Sequence, residues 1–446
     1  MFLLQHKDKV IIIGGGIAGK LAARVLSDSF REVIIIERDA EATSPIPRKG
    51  APQGNHIHAL LHAGEQGLEK LFPGITEKFY STGAVKINST KDLAWHHHGV
   101  WKQRYDGGYT TTLQTRPHLE WHINQSIKEF KNITIQYKQT VKEYVYDEGT
   151  NRMIGVVLKD GSVINADLIV DASGASSFTY RWLNDQAIHI PLEKVKIDLT
   201  YVSQIVELPK NDNQDWKIKL LYPNPPHEKL AGSISKVEGN RYLVTFIGYH
   251  DCIYEKEVVK ENNLLHLAKR LQKNDIYKTL QTAKPLTGIS VFRVPEISWR
   301  KVEKINNFPA GLIMIGDSIC RIDPFFGQGM SIAVLEALAL EETLQNQSLE
   351  NVSRDFHKKA SQIIAPIWNM VLTEDFRYQE TTGKKPVGLP ILQWYARQVF
   401  LLSAKDIQIY DSFIKVMNLK HPMTILMKPS IVLAVLRNGL TKKGNL

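Results

Sequence analysis

The chain has 446 residues, 43% of them hydrophobic and 23% charged, with a formal charge of +10 and two cysteines. Such a length can bury a large core and suits two or three domains. Cys252 and Cys320 lie far apart and make no metal or redox spacing of the CxxC kind, so a reduced, cytoplasmic setting is expected; the basic residues are scattered and match no nucleic-acid motif, so no nucleic-acid partner is expected.

The first predicted element is a buried strand, Lys9-Val10-Ile11-Ile12-Ile13. Phe2-Leu3-Leu4 before it is too short for a signal peptide, so the mature protein is expected to begin where the sequence does. The strand runs into Gly14-Gly15-Gly16-Ile17-Ala18-Gly19 and an Ala/Leu-rich helix. Gly14, Gly16 and Gly19 have GxGxxG spacing. The first permits a tight turn, the second lets the backbone approach a pyrophosphate, and the third lets the helix pack closely on the strand. The new helix offers its free N–H groups and positive dipole end to phosphates. A second strand, Val33-Ile34-Ile35-Ile36, ends in Glu37, about 20 residues after the turn, where a carboxylate can accept ribose hydroxyls. Strand, turn, helix, strand and acid in register predict dinucleotide binding.

After Arg38-Asp39 comes a polar, Pro-containing loop. Arg48-Lys49 could lie against the phosphates or a ring edge of a cofactor, with a solvated loop as the alternative, and the stretch up to Leu61 is predicted to become helical. His56 and His58 are expected to make local hydrogen bonds. Residues 86–112 alternate in part and predict strands that line a pocket or cover a sheet. Their triplet His96-His97-His98 invites a metal reading. On a strand, however, His96 and His98 face one side and His97 the other, so no metal site is expected. Arg116-Pro117 opens a helix to about Phe130. Residues 133–137, 141–146, 153–158 and 163–170 read as strands, the last leading into the small-residue turn Asp171-Ala172-Ser173-Gly174, which suits close approach of a ligand. From 194 to 299 strands dominate, with one helix over 262–271, as in an antiparallel sheet inserted in an α/β domain.

A second junction follows. Leu312-Ile313-Met314-Ile315 ends at Gly316-Asp317, and Asp323-Pro324-Phe325-Phe326-Gly327-Gln328-Gly329-Met330 leads into a helix over 332–344. Asp317 can accept a hydroxyl of an alditol chain, and the helix N-terminus near Gly329 aims its N–H groups at whatever lies in front. The remainder from 353 is predicted mostly helical, with Pro366, Pro386, Pro390, Pro422 and Pro429 as breaks or starts. Residues 423–440, followed by Lys442-Lys443, read as a helix packed on its own core, with peripheral membrane contact as the alternative. No apolar run reaches the roughly 18 residues of a spanning helix.

Two separated cradles, one for a pyrophosphate and one with an acid and a helix N-terminus, suit a long cofactor gripped at both ends. FAD has that shape. Gly14-Gly15-Gly16-Ile17-Ala18-Gly19, Glu37-Arg38, Arg116, Asp171-Ala172-Ser173-Gly174 and Gly316-Asp317 with Pro324 and Gly327-Gln328-Gly329-Met330 together resemble the flavoprotein monooxygenases of the p-hydroxybenzoate hydroxylase type. Pro52-Gln53-Gly54-Asn55-His56-Ile57-His58 and Phe72-Pro73-Gly74 are most similar to the FAD-dependent epoxidases of polyether biosynthesis and related bacterial oxygenases.

The resemblance implies that Gly14, Gly16, Ile17, Ala18, Gly19, Glu37 and Arg38 hold the adenosine diphosphate, with the Val141 backbone beside the adenine. Arg48 and Arg116 lie along the cofactor, Gly316 and Asp317 hold the ribityl chain, and Pro324, Gly327, Gln328, Gly329 and Met330 border the reacting flavin. Ser173-Gly174 stands where the family usually has Asp-Gly, so NAD(P)H is expected to supply electrons either directly or through a separate flavin reductase. The implied fold is α/β. A Rossmann-like FAD-binding domain (1–85, 113–188, 309–350) carries an inserted antiparallel β-sheet substrate domain (86–112, 189–308) and a helical C-terminal region (351–446). The implied activity is monooxygenation of a hydrophobic small molecule by dioxygen through a flavin C4a-hydroperoxide, by epoxidation or hydroxylation, with no catalytic residue required by the scheme. Alternatives sharing the fold are a prenyl-chain reductase and a halogenase, whose WxWxIP segment is not found; an alternative of another class is a non-catalytic FAD-binding or membrane-associated protein.

Overall fold

The computed structural model describes residues 7–58, 60–209, 214–261 and 263–441; Phe2-Leu3-Leu4 and Lys442-Lys443 lie outside them. Among the described residues a five-stranded parallel sheet forms the centre, in the order Leu312–Met314, Leu168–Asp171, Lys7–Ile13, Phe30–Glu37, Ile133–Tyr137. Its apolar runs have a direct cause: both faces are covered. Val10, Ile12, Val33 and Ile35 pack toward the helices Ile17–Leu26 and Gly329–Asn346. Ile11, Ile13, Ile34 and Ile36 face the other way, onto Val141, Tyr144, Met153 and Val156 of a three-stranded antiparallel sheet. Alternation along each strand thus feeds two cores rather than one core and solvent.

Register decides where the site falls. Ile13 pairs with Asp171 on one side and Ile36 on the other, and Asp171 pairs with Met314. The first glycine turn, the Ser173-Gly174 turn and the second junction therefore leave the sheet at the same edge, the carboxyl ends of its strands, where open α/β sheets bind ligands.

A larger, mostly antiparallel sheet is built on the long strands Leu192–Glu207, Arg241–Tyr249 and Ser290–Arg300. Leu93–His97 and Val100–Trp101 join it beyond Ile218–Leu221, the first of them by a parallel pairing. Val85–Asn88 instead pairs with Thr110–Leu113 in a separate ribbon. The C-terminal helices Leu389–Leu402, Ile407–Met417 and Pro429–Thr441 gather around Trp95, Tyr109, Phe413 and Val435. Among the described residues no helix is long and apolar enough to cross a membrane.

Several local expectations are corrected. The strand expected over 163–170 is two strands in different sheets: Val163–Asn165 forms a hairpin with Arg152–Leu158, and Leu168–Asp171 enters the parallel sheet. Asp167 marks the change, its carboxylate accepting the Asp8 and Lys9 N–H groups. The helix expected before Leu61 is a short 3-10 turn, Pro52–Asn55, and the α-helix starts at His62. In place of one helix over 262–271 there are three short ones, Glu255–Glu261, Leu265–Lys269 and Asp275–Leu280. The helix Leu349–Asp375 continues through Pro366. Ile364, Ile367 and Trp368 are buried around it, and that packing offsets the hydrogen bond a proline removes.

Candidate active site

The three glycines of the first junction do different jobs. Gly14 has φ +105° and its N–H donates to the Ile36 carbonyl at 2.9 Å; a Cβ there would lie 2.6 Å from the Ala172 carbonyl oxygen. At Gly19 a Cβ would lie 2.0 Å from the Gly14 oxygen, so that glycine brings helix and turn together. A Cβ at Gly16 would meet nothing within 4 Å. Gly16 is also the N-cap of Ile17–Leu26, which has no side-chain cap and no acid in its first turn. Its free N–H groups and dipole are therefore left for an anion.

The second junction is pressed against the first. Gly316 has φ +67°, and a Cβ there would lie 2.8 Å from the Ala18 Cβ. Ser318 ties the turn down, donating to the Asp171 and Ile315 carbonyls, both at 2.7 Å. Asp323 accepts the Phe325 N–H at 2.8 Å, starting the 3-10 turn Pro324–Phe326, and takes the Tyr249 hydroxyl at 3.0 Å. The helix Gly329–Asn346 then begins with neither a side-chain cap nor an acid in its first turn.

One continuous cavity of about 600 Å³ borders both junctions. Gly14, Gly16, Ile17, Ala18, Glu37 and Arg38 line one part, with Val141 beside them; Arg48 and Arg116 line its flank. Gly316, Asp317, Pro324, Gly327, Gly329 and Met330 line the other part. Asp317 is exposed to this space from its wall; desolvation by the surrounding protein raises its pKa, opposed by Arg321, Arg116 and Arg300. Two expected residues do not reach the cavity: Gly19 is a packing residue, and Gln328 lies fully buried behind it.

The flank is an ion-pair network. Glu37 accepts the Gly15 and Asp39 N–H groups, each at 2.8 Å, and lies 3.5 Å from Arg48. Arg48 also pairs with Asp39 at 3.3 Å and with Glu120 at 2.9 Å, and Arg116 pairs with Glu120 at 2.7 Å. Burial alone would raise the Glu120 pKa, but Arg116, Arg48 and Lys20 outweigh it and hold it at about 2. Burial pushes the Lys20 amine down to about 8. The motif spacing did not reveal Glu120 and Lys20; the Arg116/Glu120 separation of one helical turn was the available signal. Glu336 was missed as well. It accepts the Gly316 N–H at 2.7 Å, and burial raises it to about 8.

Asp171 organises the third turn. Its carboxylate takes the Ser173 N–H and hydroxyl on one oxygen and the Ser177 hydroxyl and Thr179 N–H on the other, which presents Ser173 and Gly174 to the cavity. The histidines divide. His58 makes the expected local bond, Nδ1 to the His56 carbonyl at 2.8 Å, and its Nε2 lies 3.1 Å from Arg116. His56 does not: its Nδ1 meets the Ser203 hydroxyl at 2.8 Å, and its ring borders the cavity with Tyr201 and Phe292. Burial lowers the His56 pKa to about 4.

The histidine triplet is also corrected. The strand ends at His97, and His98 takes a left-handed conformation, φ 52°, so His97 and His98 come together with ring centroids 4.5 Å apart. Their ligating atoms and those of Glu374 lie within 4.8 Å of one another. The Glu374 carboxylate is engaged by two Arg377 hydrogen bonds of 2.8 Å and by His98 at 3.0 Å.

Residues 7–374 match the model of a protein family described as FAD binding domain. The chain belongs to the FAD binding domain family. It is an FAD-dependent oxidoreductase of the monooxygenase type. The chain is similar to Protein Rv3254 of Mycobacterium tuberculosis (strain ATCC 25618 / H37Rv), 27% identical over 408 residues that cover 87% of this chain and 83% of the relative. It is similar also to kynurenine 3-monooxygenase of Salinispora arenicola (strain CNS-205), 20% identical over 359 residues, 76% of this chain and 73% of that protein. Among solved structures, p-nitrophenol 4-monooxygenase PnpA of Pseudomonas putida DLL-E4 matches with TM-score 0.64 at 16% identity, covering 93% of this chain and 98% of that one. At that identity the likeness is one of fold.

The residues present fit FAD. Open space lies in front of both Gly16 and Gly329, each at or beside an uncapped helix N-terminus, and one cavity joins the two.

Proposed function

We propose that the protein inserts one oxygen atom of dioxygen into a hydrophobic small molecule, the second atom leaving as water and two electrons coming from NAD(P)H, directly or through a flavin reductase. The observation that carries the reading is the single cavity bordered by both helix N-termini. In this assignment the Ile17–Leu26 N-terminus takes the pyrophosphate, Glu37 the ribose, and the Val141 backbone the adenine. Asp317 takes the ribityl chain, and Pro324, Gly327, Gly329 and Met330 border the isoalloxazine. Bound FAD supplies the activation of oxygen.

The chain's own residues bind, orient and exclude water. The dipole of Gly329–Asn346 stabilises negative charge on the ring edge in front of it. The Arg48–Glu120–Arg116 network holds the cavity flank in one geometry. Phe292, Tyr201 and His56 form a mostly apolar wall for a substrate, where exclusion of water protects the reacting centre. An alkene acceptor, giving an epoxide, is the preferred substrate class, on the likeness of the Pro52–His58 stretch to polyether epoxidases.

The test is mass spectrometry of products from lipid-like alkenes and aromatic compounds, incubated with FAD-loaded protein, NAD(P)H, a flavin reductase and labelled dioxygen. The reading expects one labelled oxygen in the product. Substrate-dependent reduction of a double bond with no label incorporated would replace it by a reductase.

A further inference from the structure

Ten of the seventeen large apolar side chains that are exposed among the described residues fall between Val387 and Leu440. They are not scattered. In the helix Pro429–Thr441, Ile431 and Val435 are buried against the protein, while Leu433, Leu436 and Leu440, 54%, 46% and 72% exposed, recur on the opposite face at three- and four-residue spacing. That helix lies on Leu389–Leu402: a Cβ at Gly439 would be 2.6 Å from the Trp394 ring, and the Asn438 amide donates to Gln398 at 2.7 Å. The exposed leucines therefore adjoin Trp394, itself 40% exposed, with Ile391 one turn before it. A helix packed on its own core would need one apolar face, and this one has two.

Charge identifies what covers the second face. Residues 384–441 contain eight lysines and arginines against Asp406 and Asp411, a net +6 of the chain's +10. Lys384, Lys385, Lys405, Lys420 and Lys428 are exposed. A second copy docked symmetrically would set this positive surface against itself, at an electrostatic cost. The helices have 14 and 13 residues, too short to span a bilayer, for which about 20 are needed, and suited to lying in its interface. An indole beside leucines, rimmed by lysines, is the chemistry of the headgroup boundary.

We propose that this C-terminal face docks on an anionic lipid bilayer, with Trp394, Leu433, Leu436 and Leu440 entering the headgroup layer and the surrounding lysines meeting acidic lipids. The docked face continues inward to the site. The same layer packs on Tyr222, whose ring lies 4.3 Å from that of Phe325, the neighbour of Pro324. The inference rests on surface chemistry and stands whatever the reaction is.

The experiment is co-sedimentation of the full, FAD-loaded chain with vesicles of phosphatidylcholine alone, or of roughly three parts phosphatidylcholine to one part phosphatidylglycerol, at low and high salt. Expected is pelleting with the anionic vesicles, weakened by salt, and little with the neutral ones. The Leu436→Asp/Leu440→Asp double variant, which leaves Ile431 and Val435 in place, should reduce partition by about tenfold or more. Lys384→Glu/Lys385→Glu should reduce it by about fivefold per lysine. Protein that stays in solution with anionic vesicles overturns the proposal. So does binding that both double variants leave unchanged, or a vesicle-independent dimer that Leu436→Asp/Leu440→Asp splits.

Discussion

Gly16 separates the needs of the fold from those of the cofactor. Its backbone is extended, with φ −72° and ψ −174°, which any residue can adopt, and a Cβ there meets no atom within 4 Å. Gly16→Val should therefore leave the stability of the FAD-free protein within about 0.5 kcal/mol of the original, as for other substitutions that disturb no contact. The new side chain projects into the space in front of the Ile17–Leu26 N-terminus, where the account seats the pyrophosphate. FAD affinity should fall by at least about 100-fold, or roughly 2.7 kcal/mol. Gly14→Ala is the contrasting control. There φ is +105° and the Cβ would lie 2.6 Å from the Ala172 oxygen, so left-handed strain of about 1–2 kcal/mol adds to an overpacking cost of about 1–3 kcal/mol, and the fold itself suffers. Urea unfolding of the FAD-free proteins and quenching of flavin fluorescence on titration read the two quantities separately. A Gly16→Val protein that binds FAD like the original refutes the assignment; one that unfolds without binding being tested is answered by the milder Gly16→Ala.

Other outcomes follow from the charges. The Glu120 pKa is depressed from 4.5 to about 2, so its contribution is present above pH 4.5 and is lost as pH falls through about 2. Glu120→Gln should cost about 3 kcal/mol at pH 7, with the difference from the original narrowing below pH 4.5 in denaturant melts. Glu336 runs the other way. Its pKa is raised from 4.5 to about 8, so wild-type stability is full below pH 4.5 and declines as pH rises through 8. Glu336→Gln, whose amide oxygen can still accept the Gly316 N–H, should match the original near pH 5 and exceed it by a few kcal/mol at pH 9 in the same melts. Asp317→Ala should weaken FAD binding by about 10–100-fold in a fluorescence titration while changing stability by no more than about 0.5 kcal/mol, since the side chain is exposed to the cavity.

What could be read in advance was what the backbone demands locally. A left-handed turn at Gly14 and a close packing contact at Gly19 each require glycine, and the spacing that joins them places Gly16 at the open approach between, so the motif shows in the residues themselves. The acid at the end of the second strand and the Gly316-Asp317 junction are local in the same sense. What escaped depends on neighbours distant in sequence. Arg48 reaches Glu120 across 72 residues, and His56 reaches Ser203 across 147. The His97/His98 pairing turned on one positive φ, and the continuity of Leu349–Asp375 through Pro366 on tertiary packing; neither is encoded in periodicity. The two-faced helix Pro429–Thr441 looked like an ordinary core helix because apolar residues alone do not say which face has a neighbour.

The most direct measurement is a crystal structure of the protein grown with FAD. The account predicts a single FAD running through one cavity, with its pyrophosphate before Gly16, its ribose on Glu37, its ribityl chain on Asp317 and its isoalloxazine ring beside Pro324 and Gly329. FAD bound in the opposite direction, or with its ring outside the space between the two helix N-termini, would contradict it.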